Sequence, residues 1–450
     1  MALPIARGSF TEPSRSMPVI AAPDVLVVGG GPAGVAAACS AARHGASVML
    51  VDRHGFLGGT LTAVTLGGIC GSHYIVDDRR TARTVGGFFL EIDSRLRERQ
   101  GICEVIRHGK ILGVPYDATA MRSVLDELVR KVGVQVLLHT QLAAAFTAGD
   151  RIETLVLQSK THRFAVQPRM AIDASGDADL VFAAGGAVRG APESGWQPAS
   201  TMFRMSGIDA GVVASLSRAD ISQRLRDAAA AGYRLPRLTV GFHLSPLPGI
   251  VHLNVTKISN DDGSMPDLCD PFELTFAEMR GREQALLYEK VFREWVPGFS
   301  SARICDMGAS VGIRESRLIE GEQTLTKDMI LACAKPADSI AFTSWPIEIH
   351  GAGSATHWQF MDDNEFYGIP YGCLVPRSLS NVLVAGRNLS ASHDAHASAR
   401  VVGPCFAMGQ AAGTAAALCL QENIRPSALA PHALRRALSG DGAILDPRAQ

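Results

Sequence analysis

The sequence predicts an α/β fold: a parallel sheet with helices on its faces, interrupted by an antiparallel excursion and carrying an inserted lobe. Three observations predict it. Residues 24–52 read as strand, glycine turn, helix and second strand. Short strand-like runs then lead to a further strand that ends in Ala174-Ser175-Gly176-Asp177. A strand followed by an alanine-rich helix returns at 381–420, so the parallel unit is discontinuous in sequence.

In the first stretch an apolar run from Asp24 to Val28 enters Gly29-Gly30-Gly31-Pro32-Ala33-Gly34. An alanine-rich helix stops at Gly45, and a second apolar run ends at Asp52. In such a unit Gly29 permits the turn, Gly31 lets a pyrophosphate approach the backbone, and Gly34 lets helix and strand pack closely. Free N–H groups at the helix start and the helix dipole favour the phosphates. Asp52, 23 residues after Gly29, stands where a carboxylate accepts ribose hydroxyls. Glycine supplies 45 of 450 residues, so the glycines alone are weak evidence; the strand, helix and acid make a dinucleotide site. The competing reading is a βαβ unit whose glycines serve packing only.

At 47% hydrophobic and 19% charged residues the chain describes a compact enzyme of two or three lobes, not a disordered or fibrous protein. A net charge of −1 offers no bulk attraction to nucleic acid or an anionic membrane. Nine scattered cysteines without a CxxC pair are expected as reduced thiols in a cytoplasmic setting. Residues 1–23, with four prolines and no long apolar core, are expected as a flexible tail rather than a signal peptide. The 21 uncharged residues between Arg400 and Glu422 have the length of a membrane span. Their glycines, proline and alanines instead favour a buried, closely packed helix, so no membrane span is expected.

Further along, Thr60–Val76 is apolar and glycine-broken, suiting a loop or short helix beside a ligand. A helix is expected over Arg83–Gln100, and another over Ala118–Lys131, capped by Asp117 and ended by Gly133. Strands are expected at Val134–His139, Ile152–Gln158, Phe164–Gln167 and Met170–Ala174. Residues 24–185 thus form the first part of the nucleotide domain. The less regular stretch 186–375 is expected as a substrate or cap lobe, with strands at Leu238–Leu244 and Ile250–Val255 and helices at Ser222–Ala231 and Phe276–Trp295. Residues 376–425 complete the nucleotide domain, and 426–450 form a C-terminal tail.

Three blocks carry a resemblance: VVGGGPAGVAAACSAARHGASVMLVD with FLGGTLT, then IDASGDADL, then NVLVAGRNLSASHDAHASARVVGPCFAMGQAAGTAAAL. With them the chain resembles flavoproteins of glutathione-reductase-like, two-dinucleotide-binding fold, in particular the FAD-dependent oxidoreductases; ASVGIRESRLIEGEQTLT is similar to that group as well. The resemblance implies that Gly29, Gly31, Ala33 and Gly34 hold the FAD pyrophosphate and Asp52 the adenosine ribose. Gly58, Gly59 and Thr60 would lie along pyrophosphate and flavin. Ser175, Gly176 and Asp177 would close the adenine side, and Gly386 would approach the ribityl phosphate. Gly409, Gln410, Ala411, Ala412 and Gly413 would present a helix N-terminus to the flavin pyrimidine, where N–H donors stabilise the charge of reduced flavin. Pro32, Arg53 and Arg387 belong to the same cofactor-binding set. Asp52 departs from the Glu more often seen there, which leaves an opening for NAD.

For substrate chemistry the candidates are His393, His396, Arg400 and Arg314. In a helix His393, His396 and Arg400 share one face. An imidazole there takes a proton during hydride transfer and Arg400 holds an anion, or the cluster serves the FAD phosphate or caps the helix. No third ligand of fixed spacing accompanies the histidines, so no metal is expected. Arg314 and Arg317 either clamp a carboxylate or pair with Glu320 and Glu322 on a solvated helix. His350, His357, Trp358, Tyr367 and Tyr371 precede the last nucleotide strand, where a substrate pocket would receive them or a core would absorb them. Gly308-Ala309-Ser310-Val311-Gly312 spells GxSxG, but a nucleophile elbow needs strand, turn and helix in a hydrolase sheet. With no CxxxxC pair, and Gly351–Thr356 a poor second fingerprint, disulfide reduction and a dedicated NADPH domain are disfavoured.

The expectation is an FAD-dependent oxidoreductase exchanging a hydride with a small organic substrate, an anion if Arg400 engages it. The electron acceptor and any homo-oligomer are left open. The alternative is a hydratase or isomerase using reduced flavin without net redox change. A nucleic-acid-binding flavoprotein is disfavoured by the even charge balance.

Overall fold

The computed structural model describes residues 10–193, 195–351 and 356–449. The first nine residues of the expected tail and most of the Gly351–Thr356 run lie outside them. At the centre is a five-stranded sheet in the order Val382–Val384, Met170–Asp173, Val25–Val28, Val48–Val51, Gln135–Leu137, parallel throughout. Every position of Val25–Val28, Val48–Val51 and Met170–Asp173 is buried. That is why these strands read as continuous apolar runs instead of alternating ones.

Helix Pro32–Arg43 follows the first strand and packs along the 21-residue helix Val402–Glu422. Glycine makes the close approach available. A Cβ at Gly409 would lie 2.1 Å from the Ala33 carbonyl oxygen, and one at Gly413 would lie 2.1 Å from that of Ala37. Among the described residues no single helix is long and apolar enough to cross a membrane. His393–Ala399 with Val402–Glu422 has the composition but bends by 91° between the two, and most of both is buried in the core.

The excursion is a four-stranded sheet in which Gln141–Ala148, Arg151–Ser159 and His162–Val166 run antiparallel. Its remaining strand, Val19–Ala21, pairs in parallel with Ala165 and Val166, so that part of the expected tail is instead sheet. The expected C-terminal tail is likewise corrected: it contains helix Pro431–Gly440, docked through the buried Leu434 and Leu438. Two apolar residues four apart suffice to anchor one helical face.

A second core lies in the inserted stretch. Gly241–Leu244, Ile250–Asn254, Phe203–Ser206 and Arg303–Met307 form an antiparallel sheet in that order. Phe203, Leu253, Tyr288 and Phe292 are buried together under helices Arg218–Ala230 and Pro271–Trp295. The helix expected over Arg83–Gln100 is shorter, Phe88–Glu98, because Thr81–Arg83 is a strand. Ala118–Lys131 has the expected limits, and the Asp117 carboxylate accepts from Ala120 N at 2.9 Å.

Candidate active site

A cavity of about 940 Å³ runs from the glycine turn of the parallel sheet into the inserted lobe. At its nucleotide end the turn is built by three different uses of glycine. Gly29 has φ +102°, and a Cβ there would meet the Ala174 carbonyl oxygen at 2.4 Å. A Cβ at Gly34 would sit 1.8 Å from the Gly29 oxygen. Gly31 differs: its Cβ would meet nothing nearer than the Gly59 Cα at 4.0 Å, because it faces the cavity. Pro32 begins the helix and no side chain caps it. The N–H groups of Ala33 and Gly34 therefore lack intrahelical acceptors, as first-turn donors do.

Around this turn the cavity is lined by Asp52, Arg53, Gly59, Thr60, Gly176, Asp177, Gly386 and Arg387. Gly58 stands just behind, with φ +112°, giving its N–H to Gly30 O at 2.7 Å. Asp52 is more committed than a free ribose acceptor: Oδ2 accepts from Gly30 N at 2.6 Å and Oδ1 from His54 N at 2.7 Å and Nδ1 at 3.0 Å. A carboxylate has about four acceptor sites, so capacity remains on the cavity side. Asp177 accepts from Arg387 at 2.8 Å and Ser316 at 2.5 Å. Burial opposes its ionisation, yet the Arg387 charge and the Ser316 hydrogen bond outweigh it and hold the carboxyl below its ordinary range. The preceding Asp173 is fully buried and caps the turn beyond, accepting from Leu180 N at 2.9 Å and Val181 N at 3.0 Å.

Gly409, Gln410, Ala411 and Gly413 do not line the cavity, and this corrects their placement at a helix N-terminus. The helix begins at Val402, so they sit in its interior. The glycines pack against the helix Pro32–Arg43, and Gln410 accepts from Phe88 N at 3.0 Å. The helix end that faces the cavity is Val401, Val402 and Cys405.

The histidine assignment is corrected as well. Neither His393 nor His396 lines the cavity. His396 is fully buried, with Nε2 2.8 Å from the Arg387 carbonyl oxygen, and burial drives its pKa well below the ordinary value. His393 Nδ1 lies 2.8 Å from Glu315 Oε1, a hydrogen bond that raises its pKa against the opposing effect of burial. Helix His393–Ala399 does form, but its two histidines are taken up by Glu315 and the Arg387 carbonyl, and of the expected face only Arg400 reaches the cavity.

Arg400 and Arg314 do line the cavity. Arg400 reaches Gln197 Oε1 at 3.5 Å, and its Nε is buried without a partner. Arg314 donates to the Pro198 carbonyl, and burial, then the charges of Arg400 and Arg237, lower its pKa to about 9. The segment holding Arg314 to Arg317 is not helical. Arg317 leaves the cavity to pair with Asp179 at 2.5 Å, not with Glu320 or Glu322. His350 and Trp358 line the cavity, whereas Tyr367 and Tyr371 are core residues bonded to Ser398 and to the Pro426 carbonyl. Gly308–Gly312 is followed by no helix, so Ser310 is not at a nucleophile elbow.

Other wall residues carried no mark in the sequence: His54, Thr140, Arg218, Arg237, His243, His252 and Glu348. They come from loops of the nucleotide domain and from separate elements of the lobe and meet only in the folded chain. The nearest signal was local, the capping box in which Ser217 and Asp220 start the helix bearing Arg218.

Fold and cavity together define an enzyme with a dinucleotide site opening into a lobe-covered chamber. The chain belongs to the FAD dependent oxidoreductase family, whose model matches residues 24–438. It binds FAD and is a redox enzyme; catalysis without net redox change is not favoured. The groups present fit the cofactor: open space at Gly31, uncapped N–H donors and a carboxylate at the end of the second strand. Similar solved structures include a geranylgeranyl bacteriochlorophyll reductase-like protein of Thermoplasma acidophilum, at 12% identity over 94% of this chain and 84% of that one, TM-score 0.48. Another is p-nitrophenol 4-monooxygenase PnpA of Pseudomonas putida DLL-E4, at 12% identity over 90% and 81%, TM-score 0.46. Flavin-dependent brominase Bmp2 gives 13% identity over 92% and 83%, TM-score 0.45. Likeness this distant speaks to neither substrate nor mechanism. No curated protein matches the chain.

Proposed function

We propose that the protein oxidises a small organic anion at a C–H bond beside oxygen, nitrogen or a carbonyl. Bound FAD supplies the hydride acceptor and is reoxidised by oxygen, a quinone or a protein carrier. The nucleotide half is read as glutathione-reductase-like. Supporting this are the glycine turn, the antiparallel excursion Gln141–Val166 and the return strand Met170–Asp173.

In this reading the Ala33 and Gly34 N–H groups and the open face of Gly31 receive the pyrophosphate. Asp52 takes the ribose with its remaining acceptor sites. Thr60, Arg53, Gly176, Asp177, Gly386 and Arg387 complete the cofactor wall. The uncapped first turn at Val402 and Gly403 takes over the pyrimidine-facing role first given to Gly409–Gly413. Arg400 and Arg314 orient the anion, while Trp345 and Trp358 cover the chamber and exclude water. Burial keeps the wall imidazoles of His108, His243, His252 and His350 neutral and weakens them as bases, so none of them takes the substrate proton, which passes to solvent as the product leaves.

One observation carries the substrate class: Arg400 and Arg314 stand in the wall with no carboxylate ion-paired to either among the described residues. Buried charge of one sign is costly until a counter-charge arrives. The test is anaerobic mixing of the yellow holoenzyme with a panel of organic acids and neutral analogues of matched size. Bleaching by an acid and not by its amide supports the reading; bleaching by neutral compounds alone rejects it.

A further inference from the structure

Two further guanidiniums, those of Arg218 and Arg237, join Arg314 and Arg400 in the chamber wall. Arg218 is the first residue of helix Arg218–Ala230, and Arg237 precedes strand Gly241–Leu244. Both line the same cavity. Arg237 is only 9% exposed; its Nε donates to Thr239 Oγ1 at 3.1 Å, and one terminal nitrogen lies 3.4 Å from both the Asn254 carbonyl and Oδ1. Arg218 is half-buried, with an Nε that is buried and has no partner. Among the described residues none of the four guanidiniums forms an ion pair with a carboxylate, although their charges are mutually felt across the chamber.

The counter-charge present is too small. Glu348, in strand Ile347–His350, is the acid of this end of the wall, and its Oε1 lies 3.1 Å from His350 Nε2. Burial opposes its ionisation, but the His350 hydrogen bond and the charges of Arg400 and Arg314 hold its carboxyl below the ordinary range, so it is charged. His350 is pushed down to about 3, chiefly by burial, and adds no charge near neutrality. Four guanidiniums face one carboxylate of the wall, Glu348, with the buried Glu315 behind it felt by Arg400, in a chamber that a ligand will dry. Guanidinium forks match carboxylate or phosphate oxygens two at a time, and two such pairs are more than one anionic group needs.

Resting on the reading of the chamber as a substrate site, we propose that its ligand is a dianion in the sense of carrying two separate anionic groups, whatever the charge on each. One anionic group would be held by Arg314 and Arg400 and the other by Arg218 and Arg237, with a short carbon chain between them. Carboxylate and phosphate ester share the recognising chemistry, so either can be the second group.

The experiment titrates the FAD-bound protein with butyrate, succinate and a phosphorylated monocarboxylic acid of similar length, reading the shift of the flavin absorption band. The expected result is at least about tenfold tighter binding of one dianion than of butyrate. In Arg218→Gln that advantage should fall to about threefold or less while butyrate affinity holds. The dianion that wins identifies the second group. Arg237→Lys, which keeps the charge and loses the fork, should retain part of the advantage. Equal binding of butyrate and both dianions overturns the proposal and leaves the anion site standing, as does an advantage undiminished in Arg218→Gln. Loss of butyrate and dianion affinity in equal proportion also overturns it, since a structural effect would do that. If no anion shifts the band, this proposal and the anion site fall together.

Discussion

At the scale of the residue, the glycine turn separates function from packing. Gly31 has φ −69° and ψ −177°, extended backbone that any residue adopts, and its Cβ direction opens on the cavity. Gly31→Val should therefore fold and lose FAD, read as a colourless protein with a wild-type melting curve measured without cofactor. Gly34→Ala should fail in the opposite way, since its Cβ would overlap the Gly29 carbonyl. The sequence spacing distinguished these roles because each follows from a fixed position in the turn. It did not resolve His393 and His396. Helical periodicity put them on one face with Arg400, but whether that face meets a chamber or Glu315 depends on a segment about eighty residues away. For His393 the structure implies a pH effect. Its folded pKa is raised above 6.5 by the Glu315 hydrogen bond, so its stabilisation is full below 6.5 and disappears as pH rises through the folded value. His393→Gln should cost more melting temperature at about pH 6 than at about pH 9. A deficit equal at both would deny the ion pair.

At the scale of the element, the long helix Val402–Glu422 and helix Pro32–Arg43 form the spine on which the nucleotide end is built. Their contact is set by Gly409 and Gly413, where a Cβ would strike carbonyl oxygens of the partner helix. Gly409→Ala should cost about 1–3 kcal/mol, the range for forcing extra atoms into a packed core. Loss of FAD from this variant should track its unfolding in denaturant and not precede it. Were the stability unchanged and the flavin lost, the earlier placement of Gly409 at the cofactor would be right. The sequence showed the helix but hid its start. Gly403 and Pro404 resemble breakers, whereas proline is tolerated in a first turn because the missing N–H has no acceptor there. The parallel strands were legible because they are buried on both faces. Val19–Ala21 was not, because an exposed edge strand of three residues has no pattern to distinguish it from a tail.

At the scale of the whole molecule, the core and cavity walls bury histidines as neutral groups. Burial lowers His73 and His243 to about 4 and His350 to about 3, and drives His252 and His396 well below 6.5. Below 6.5 the unfolded chain binds protons that the folded one refuses, so their contribution is present above 6.5 and lost as pH falls toward about 4. Unfolding at about pH 5 should take up on the order of three to five protons, measured from the pH dependence of the denaturant midpoint; uptake near zero would mean these rings are not buried neutral.

The inserted lobe explains why the substrate end was only partly legible. Arg314 and Arg400 could be singled out by their neighbours in sequence, but Arg218 and Arg237 belong to a helix start and a loop beside the second core and Glu348 to a strand packed on the first, and they meet only in the folded chain. The account rests on organic anions reaching FAD through that arginine-lined end. Anaerobic flavin reduction in wild type and in Arg400→Ala, across organic acids and their amides, tests it most directly. The account predicts that an acid bleaches the wild-type flavin, and that Arg400→Ala keeps its yellow colour but needs at least about tenfold more acid for the same rate. Bleaching by amides as readily as by acids, or an Arg400→Ala protein indistinguishable from wild type, would contradict it.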